Sequence, residues 1–144
     1  MSFTPHEKEL IRTSYRCILP VAESVVKIFY RRLFDTVPEI KFLFDPSTMA
    51  AQNHKFMQTI TFIVRDLDDP NVIVAIMQDL GQRHLSYGVR EEHYGLVGNA
   101  LMWALRRTLK NDFPPHVESA WTKLYVMMAE AAMTAYEIFE RDPI

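Results

Sequence analysis

Apolar residues recur at spacings of three and four along almost the whole chain, and this period is interrupted mainly at prolines. With only four glycines and no Asn-Gly or Asp-Gly pair, the sequence offers nothing from which to build β-hairpins. The pattern therefore predicts an all-α fold. Thr4 is placed to cap a first helix, Pro5 suits its first position and Glu7 completes a capping box, with the helix running to Leu19. Pro20 opens a new turn, and Val21, Val25, Ile28, Phe29 and Leu33 form the stripe of a second helix that ends at Pro38. A short segment from Pro38 to Phe44 leads to Asp45-Pro46-Ser47, a turn suited to cap the next helix.

From Met49 to Leu67 one helical face carries Gln52, Phe56, Ile60 or Thr59, Ile63 and Leu67, polar at its start and apolar after. Asp69-Pro70 opens a helix with Ile73, Met77, Leu80 and His84 on its stripe, and Gly88 is placed to end it. A further helix from Arg90 to Leu109 packs through Tyr94, Val97, Leu101 and Leu105 before Asp112-Phe113-Pro114-Pro115 breaks it. The last, from Pro115 to Phe139, buries Trp121, Leu124, Tyr125, Met128, Ala132 and Tyr136. No internal repeat, linker or low-complexity tract is present.

A chain of 144 residues with 49% hydrophobic composition suits one domain, residues 1–144, with a substantial core. Sixteen basic against eighteen acidic side chains leave no broad basic face for a phosphate backbone, so nucleic acid is not an expected partner. The lone Cys17 forms no internal disulfide, and Thr-Pro-His-Glu stands where a secretory signal needs an apolar run, so a cytoplasmic location is expected. No run approaches the roughly 18 apolar residues of a membrane span.

Helix count alone specifies no function, so the chemistry must come from particular side chains. A histidine that ligates a metal or haem needs a buried stripe and an unprotonated nitrogen. Of the five histidines only His84 clearly lies on such a stripe; His6 and His116 fall in solvated first turns, and His54 and His93 lie beside the apolar faces of their helices. Taken alone, a histidine on an apolar face is more often a hydrogen-bonded core residue, and context has to decide.

That context is a resemblance extending from about residue 7 to residue 136. The stretch FYRRLFDTVPEIKFLFD (29–45), then LGQRHLSYGVREEHYGLVG (80–98), then AWTKLYVMMAEAAMTAYE (120–137) resemble, in order and spacing, the single-domain bacterial haemoglobins and the globin module of flavohaemoglobins. The resemblance implies a globin fold, a three-over-three helical sandwich enclosing haem b, with His84 as the iron ligand and Phe44 stacked on the haem ring. It implies that Leu80 packs beneath the macrocycle and Val89 touches its edge. Arg83 and Lys55 become propionate contacts or, equally, ordinary solvated cations. On the distal side Tyr30 matches a buried tyrosine able to donate a hydrogen bond to a dioxygen ligand. Gln52 matches the distal glutamine, with Phe56 one turn later, if the turn after Phe44 is two residues shorter here; without that gap His54 takes the distal place and Gln58 follows.

One departure bears on mechanism. In the resembled family a glutamate on the last helix and a tyrosine on the preceding long helix support the proximal histidine and increase its donation to iron. Tyr94 matches that tyrosine, but counting from Trp121 puts Tyr136 where the glutamate would stand, with Glu137 one residue on. One residue rotates a helical side chain by about 100°, which puts a strongly donating network in doubt. The function the resemblance implies is reversible binding of dioxygen, carbon monoxide or nitric oxide at ferrous haem. Two alternatives stay open: nitric oxide dioxygenation supported by a separate reductase, since this chain has no GxGxxG fingerprint, and gas sensing as a module of a longer protein.

Overall fold

The computed structural model describes residues 2–141, with side chains through Glu137. Six α-helices appear among them: α1 Pro5–Ile18, α2 Ala22–Thr36, α3 Met49–Arg65, α4 Pro70–Tyr87, α5 Glu91–Leu109 and α6 Pro115–Arg141. Helix α1 starts as its sequence dictates. Glu7 N–H donates to Thr4 Oγ1 at 3.1 Å and Thr4 N–H donates to Glu7 Oε1 at 2.8 Å, so two otherwise unpartnered amides are satisfied reciprocally. The Pro20 segment forms a 3-10 turn, Leu19–Val21, and a second 3-10 stretch, Pro38–Leu43, follows α2.

Two ends differ from the sequence reading. Asp45 accepts from Ser47 N–H at 2.9 Å, but what it caps is a short 3-10 turn, Pro46–Thr48, and α3 begins only after it. Helix α3 stops at Arg65 although Leu67 is fully buried, because tertiary packing draws Leu67 into the core from outside the helical hydrogen-bond ladder. Gly88 ends α4 in the left-handed region, with φ 95°, a conformation that suits a residue without Cβ.

The expected all-α architecture is built from α4 packed along α6, α2 along α5, α1 against the far end of α6, and α3 against α2. Phe29, Leu33, Ile63, Ile73, Leu105 and Leu124 fill the space between them and are almost wholly excluded from solvent. One polar link crosses this core. Trp121 Nε1–H donates to Ser14 Oγ at 2.7 Å, and the Ser14 hydroxyl donates in turn to the Leu10 carbonyl at 2.7 Å, so neither buried group is left unpaired.

Gly81 sets how closely α4 approaches α6. A Cβ at this position would overlap the main-chain carbonyl of Ala132, an atom that no side-chain rotation can move aside. Gly95, in contrast, has no neighbour within 4 Å of where its Cβ would stand. Gly81→Ala should therefore destabilise the protein by about 1–3 kcal/mol or more. Gly95→Ala should stabilise it by roughly 0.5–1 kcal/mol, because alanine is the better helix former. Urea denaturation of the two variants checks both, and equal stabilities would show that the α4–α6 approach is not backbone-limited.

Candidate functional site

His84 lies in the last turn of α4, one turn after Gly81, and its imidazole is half-buried. Its Nδ1 sits 3.2 Å from the Tyr94 hydroxyl of α5. That contact engages one ring nitrogen and leaves Nε2 as the nitrogen available to a metal. Burial, reinforced by the positive charge of Arg83, pushes the imidazole pKa down to about 4, so the ring is neutral at physiological pH.

Tyr94 is buried, and burial raises its phenol well above the ordinary tyrosine range. Its ring meets that of Tyr136 edge-on at 5.8 Å. Tyr136 Oη–H donates to the Val89 carbonyl at 2.6 Å. The Tyr125 hydroxyl donates to the Tyr94 carbonyl and fixes the start of α5 from the other side. The position that counting assigned to a carboxylate thus carries a phenol anchored on main chain. Leu80 and Val89 are half-buried beside His84, whereas Arg83 is exposed and forms an ion pair with Asp79 at 3.2 Å.

Tyr30 of α2 is buried and Gln52 of α3 half-buried. Gln52 Nε2–H donates to Tyr30 Oη at 3.4 Å, a long and weak bond. The direction matters, because the amide fills a lone pair of the phenol oxygen and leaves its proton free to be donated elsewhere. Burial raises the Tyr30 pKa, which keeps that proton in place. Around the pair stand aromatic rings: Phe29 stacks on Phe56 at 4.7 Å, Phe44 meets Tyr30 edge-on at 5.5 Å, and Phe34 meets Phe44 at 5.3 Å. His54 and Lys55, the other polar residues of this turn considered from sequence, are both exposed.

Leu43, Phe44, Met49 and Phe56 on one side and Leu80, Leu85, Val89 and Val97 on the other are packed on the core yet only partly buried. Both sets leave apolar surface uncovered, and Leu43 comes within 3.6 Å of where a Cβ on Gly88 would stand, a setting that suits a flat apolar group. Among the described residues no three His, Cys, Asp or Glu side chains converge. A metal held by His84 would therefore draw its remaining ligands from a chelate rather than from protein, and a macrocycle supplies four in one plane. The residues present fit a haem.

Phe34 and the Val89 carbonyl were absent from the sequence reading, and so was the true place of His93. This histidine is buried, and its Nδ1 accepts from Arg90 N–H at 3.0 Å, making it part of the start of α5. Its position three residues after the helix entry was the one available signal.

Comparisons with known proteins bear on the fold and the family. The chain is 28% identical over 130 residues to a flavohemoprotein of Xylella fastidiosa, covering 89% of this chain and 32% of that protein. It therefore spans about a third of the length of such relatives. Among solved structures it is similar to a bacterial globin of Campylobacter jejuni, with TM-score 0.84, 20% identity, and coverage of 96% of this chain and 100% of the other. It also superposes on an engineered carbene transferase derived from a nitric oxide dioxygenase candidate of Rhodothermus marinus, with TM-score 0.83, 23% identity and coverage of 97% and 98%. The Globin family model matches residues 27–132, which include Tyr30, Phe44, Gln52, His84, Tyr94 and Ala132. This chain belongs to the globin family.

Proposed function

We propose that this globin holds haem b between α3 and α4 and binds dioxygen or another diatomic gas reversibly. Two polar arrangements support the reading: His84, with Nδ1 engaged and Nε2 available, and Tyr30, with its oxygen occupied by Gln52 and its proton available. When bound, haem would supply an iron able to take up the gas. The protein's residues do the rest. Phe44, Phe56, Leu80 and Val89 hold the ring by apolar contact and exclude water. Tyr94 orients the His84 imidazole. The low pKa of His84 keeps it an unprotonated ligand throughout the neutral range.

On this reading Gln52 is the distal partner, because it faces Tyr30 while His54 points to solvent. Gln52 polarises the Tyr30 hydroxyl by donating to its oxygen, and Tyr30 donates into the pocket. Arg83 and Lys55, exposed near the two edges, are suited to propionates, Arg83 by exchanging its Asp79 partner. A second reading, nitric oxide dioxygenation, is favoured by the flavohemoprotein relatives and the Rhodothermus marinus neighbour. Such turnover would draw its electrons from a separate reductase.

Purified protein should take up one haem noncovalently, and His84→Ala should abolish or severely weaken retention. A variant that kept haem with the wild-type absorption bands would remove His84 from the ligand role.

Tyr30→Phe should raise the dioxygen dissociation rate more than about tenfold while carbon monoxide dissociation changes little. A hydrogen bond to a charged acceptor is worth about 1.5–3 kcal/mol, and about 1.4 kcal/mol is a factor of ten. Dioxygen develops the partial negative charge that makes it such an acceptor. Stopped-flow measurement of both off-rates decides this, and an unchanged dioxygen rate contradicts it.

The depressed His84 pKa also has a signature in the ligand-free chain. The folded value lies near 4 and the unfolded value near 6.5, so the unfolded state binds more protons between them. The contribution of this group to stability is complete above pH 6.5 and is lost as pH falls towards 4, at up to about 1.4 kcal/mol per pH unit. Denaturation of wild type and His84→Gln across that window should show the slope only in wild type, and parallel curves would contradict a neutral His84.

A further inference from the structure

We propose that the groove along α5, between α2 and α6, is an interface on which a second copy of this chain docks about a two-fold axis. No part of this requires a cofactor, so it stands apart from the haem reading. The groove has a volume of about 670 Å³ and is lined along α5 from Glu91 to Arg106. At Gly95 its floor is open, and an added Cβ would meet nothing within 4 Å. Leu96 of α5 and Val126 of α6 line it and stay 38% and 39% exposed. Two large apolar side chains uncovered on one groove are what a partner surface would cover.

The order of charge along the groove selects the partner. Helices α5 and α6 run antiparallel, as the ion pair of Arg106 with Glu118 at 2.9 Å and the bond from Tyr125 to the Tyr94 carbonyl show. Glu130 therefore lies towards the same end as Glu91. Both are exposed, and among the described residues neither has an ion-pair partner. Towards the other end Arg32 and Arg107 stand over the Trp103 ring at 4.7 and 5.0 Å, and they too lack a carboxylate partner among the described residues. Arg106 beside them is already neutralised by Glu118. Each end thus keeps uncompensated charge, negative at one and positive at the other.

Positions 91 and 106 are about 22 Å apart along the helix, well beyond the roughly 8–10 Å over which exposed charges interact in physiological salt. The two ends of one copy therefore cannot neutralise each other. A two-fold axis crossing the groove near Asn99, midway between 91 and 106, reverses its direction in the second copy. Each acidic end then faces a basic end, at both contacts, and Leu96 and Val126 meet their counterparts near the middle. An unlike partner would have to carry the same charges in this reversed order, which the chain itself already supplies.

The test is sedimentation velocity of the whole chain at about 1–200 µM, in low and in high salt, for wild type, Glu130→Arg, Arg32→Glu and an equimolar mixture of the two variants. Wild type should show a concentration-dependent dimer that weakens as salt rises. Its dissociation constant should rise at least about tenfold in either variant alone, because like charges are then brought together. The mixture should recover a dimer of wild-type strength, since the two substituted side chains attract across one contact while the other contact keeps its native charges. Recovery also shows that both variants are folded. If either charge variant fails to fold, Val126→Asp on the exposed face of α6 should weaken the wild-type dimer at least about tenfold instead, and an unchanged dimer would then overturn the proposal. A wild type that stays monomeric throughout would overturn it in favour of an unlike partner or none. A dimer that neither folded charge variant weakens, or a mixture that recovers nothing, would overturn it as well.

Discussion

The proximal half of the molecule depends on one contact between main chains. Gly81 lets α4 lie against the carbonyl of Ala132, closer than any residue with a Cβ would permit. A contact between main-chain atoms has no rotamers through which to relax, so it fixes the approach of the two helices more rigidly than side-chain packing does. His84 is three residues beyond Gly81, and Tyr136 four beyond Ala132, so each lies about one turn from the contact. The 2.6 Å bond from Tyr136 to Val89 and the 3.2 Å contact between Tyr94 and His84 are both reached from that origin. Wherever α4 was held farther out, the hydroxyl of Tyr136 would fall short of the loop after Gly88.

The distal half rests on a different kind of constraint, a cluster of aromatic rings. Phe29, Tyr30, Phe34, Phe44 and Phe56 contact one another in a chain that joins α2, the segment after it and α3. Such rings add directional preference to the area they bury. They hold Tyr30 in place without using its hydroxyl, which is what allows Gln52 to occupy the oxygen and leave the proton. A polar side chain in the position of Phe56 or Phe34 would compete for that proton.

How much of this was legible in the sequence follows from the range of each signal. Thr4, Pro5 and Glu7 announced the start of α1 because the capping bonds span three residues, and Gly88 announced the end of α4 because its conformation is its own. The end of α3 was misplaced by two residues since periodicity reports burial, and Leu67 is buried without being helical. Tyr30, Gln52, Phe44, Tyr94 and His84 were singled out because spacing along one face and likeness to known haemoglobins act together. Gly81, Phe34, His93 and the Val89 carbonyl were not, for each acquires its role from a partner elsewhere in the fold or from a main-chain atom that every residue type carries. The exchange of a carboxylate for Tyr136 was visible in the sequence, but its consequence was not, because a tyrosine does not reveal where its proton goes.

The two halves treat their phenol protons differently. Gln52 donates to Tyr30, which leaves the Tyr30 proton free to donate elsewhere. On the proximal side the hydroxyl of Tyr136 donates outward to Val89, away from His84. If haem lies between them as proposed, the first arrangement would stabilise negative charge on a bound gas, by about 1.5–3 kcal/mol for one hydrogen bond to a charged acceptor. On the proposed reading, a Tyr30 proton left free by Gln52 would favour retention of a polarised ligand, and nothing in the bond from Tyr136 to Val89 would oppose it.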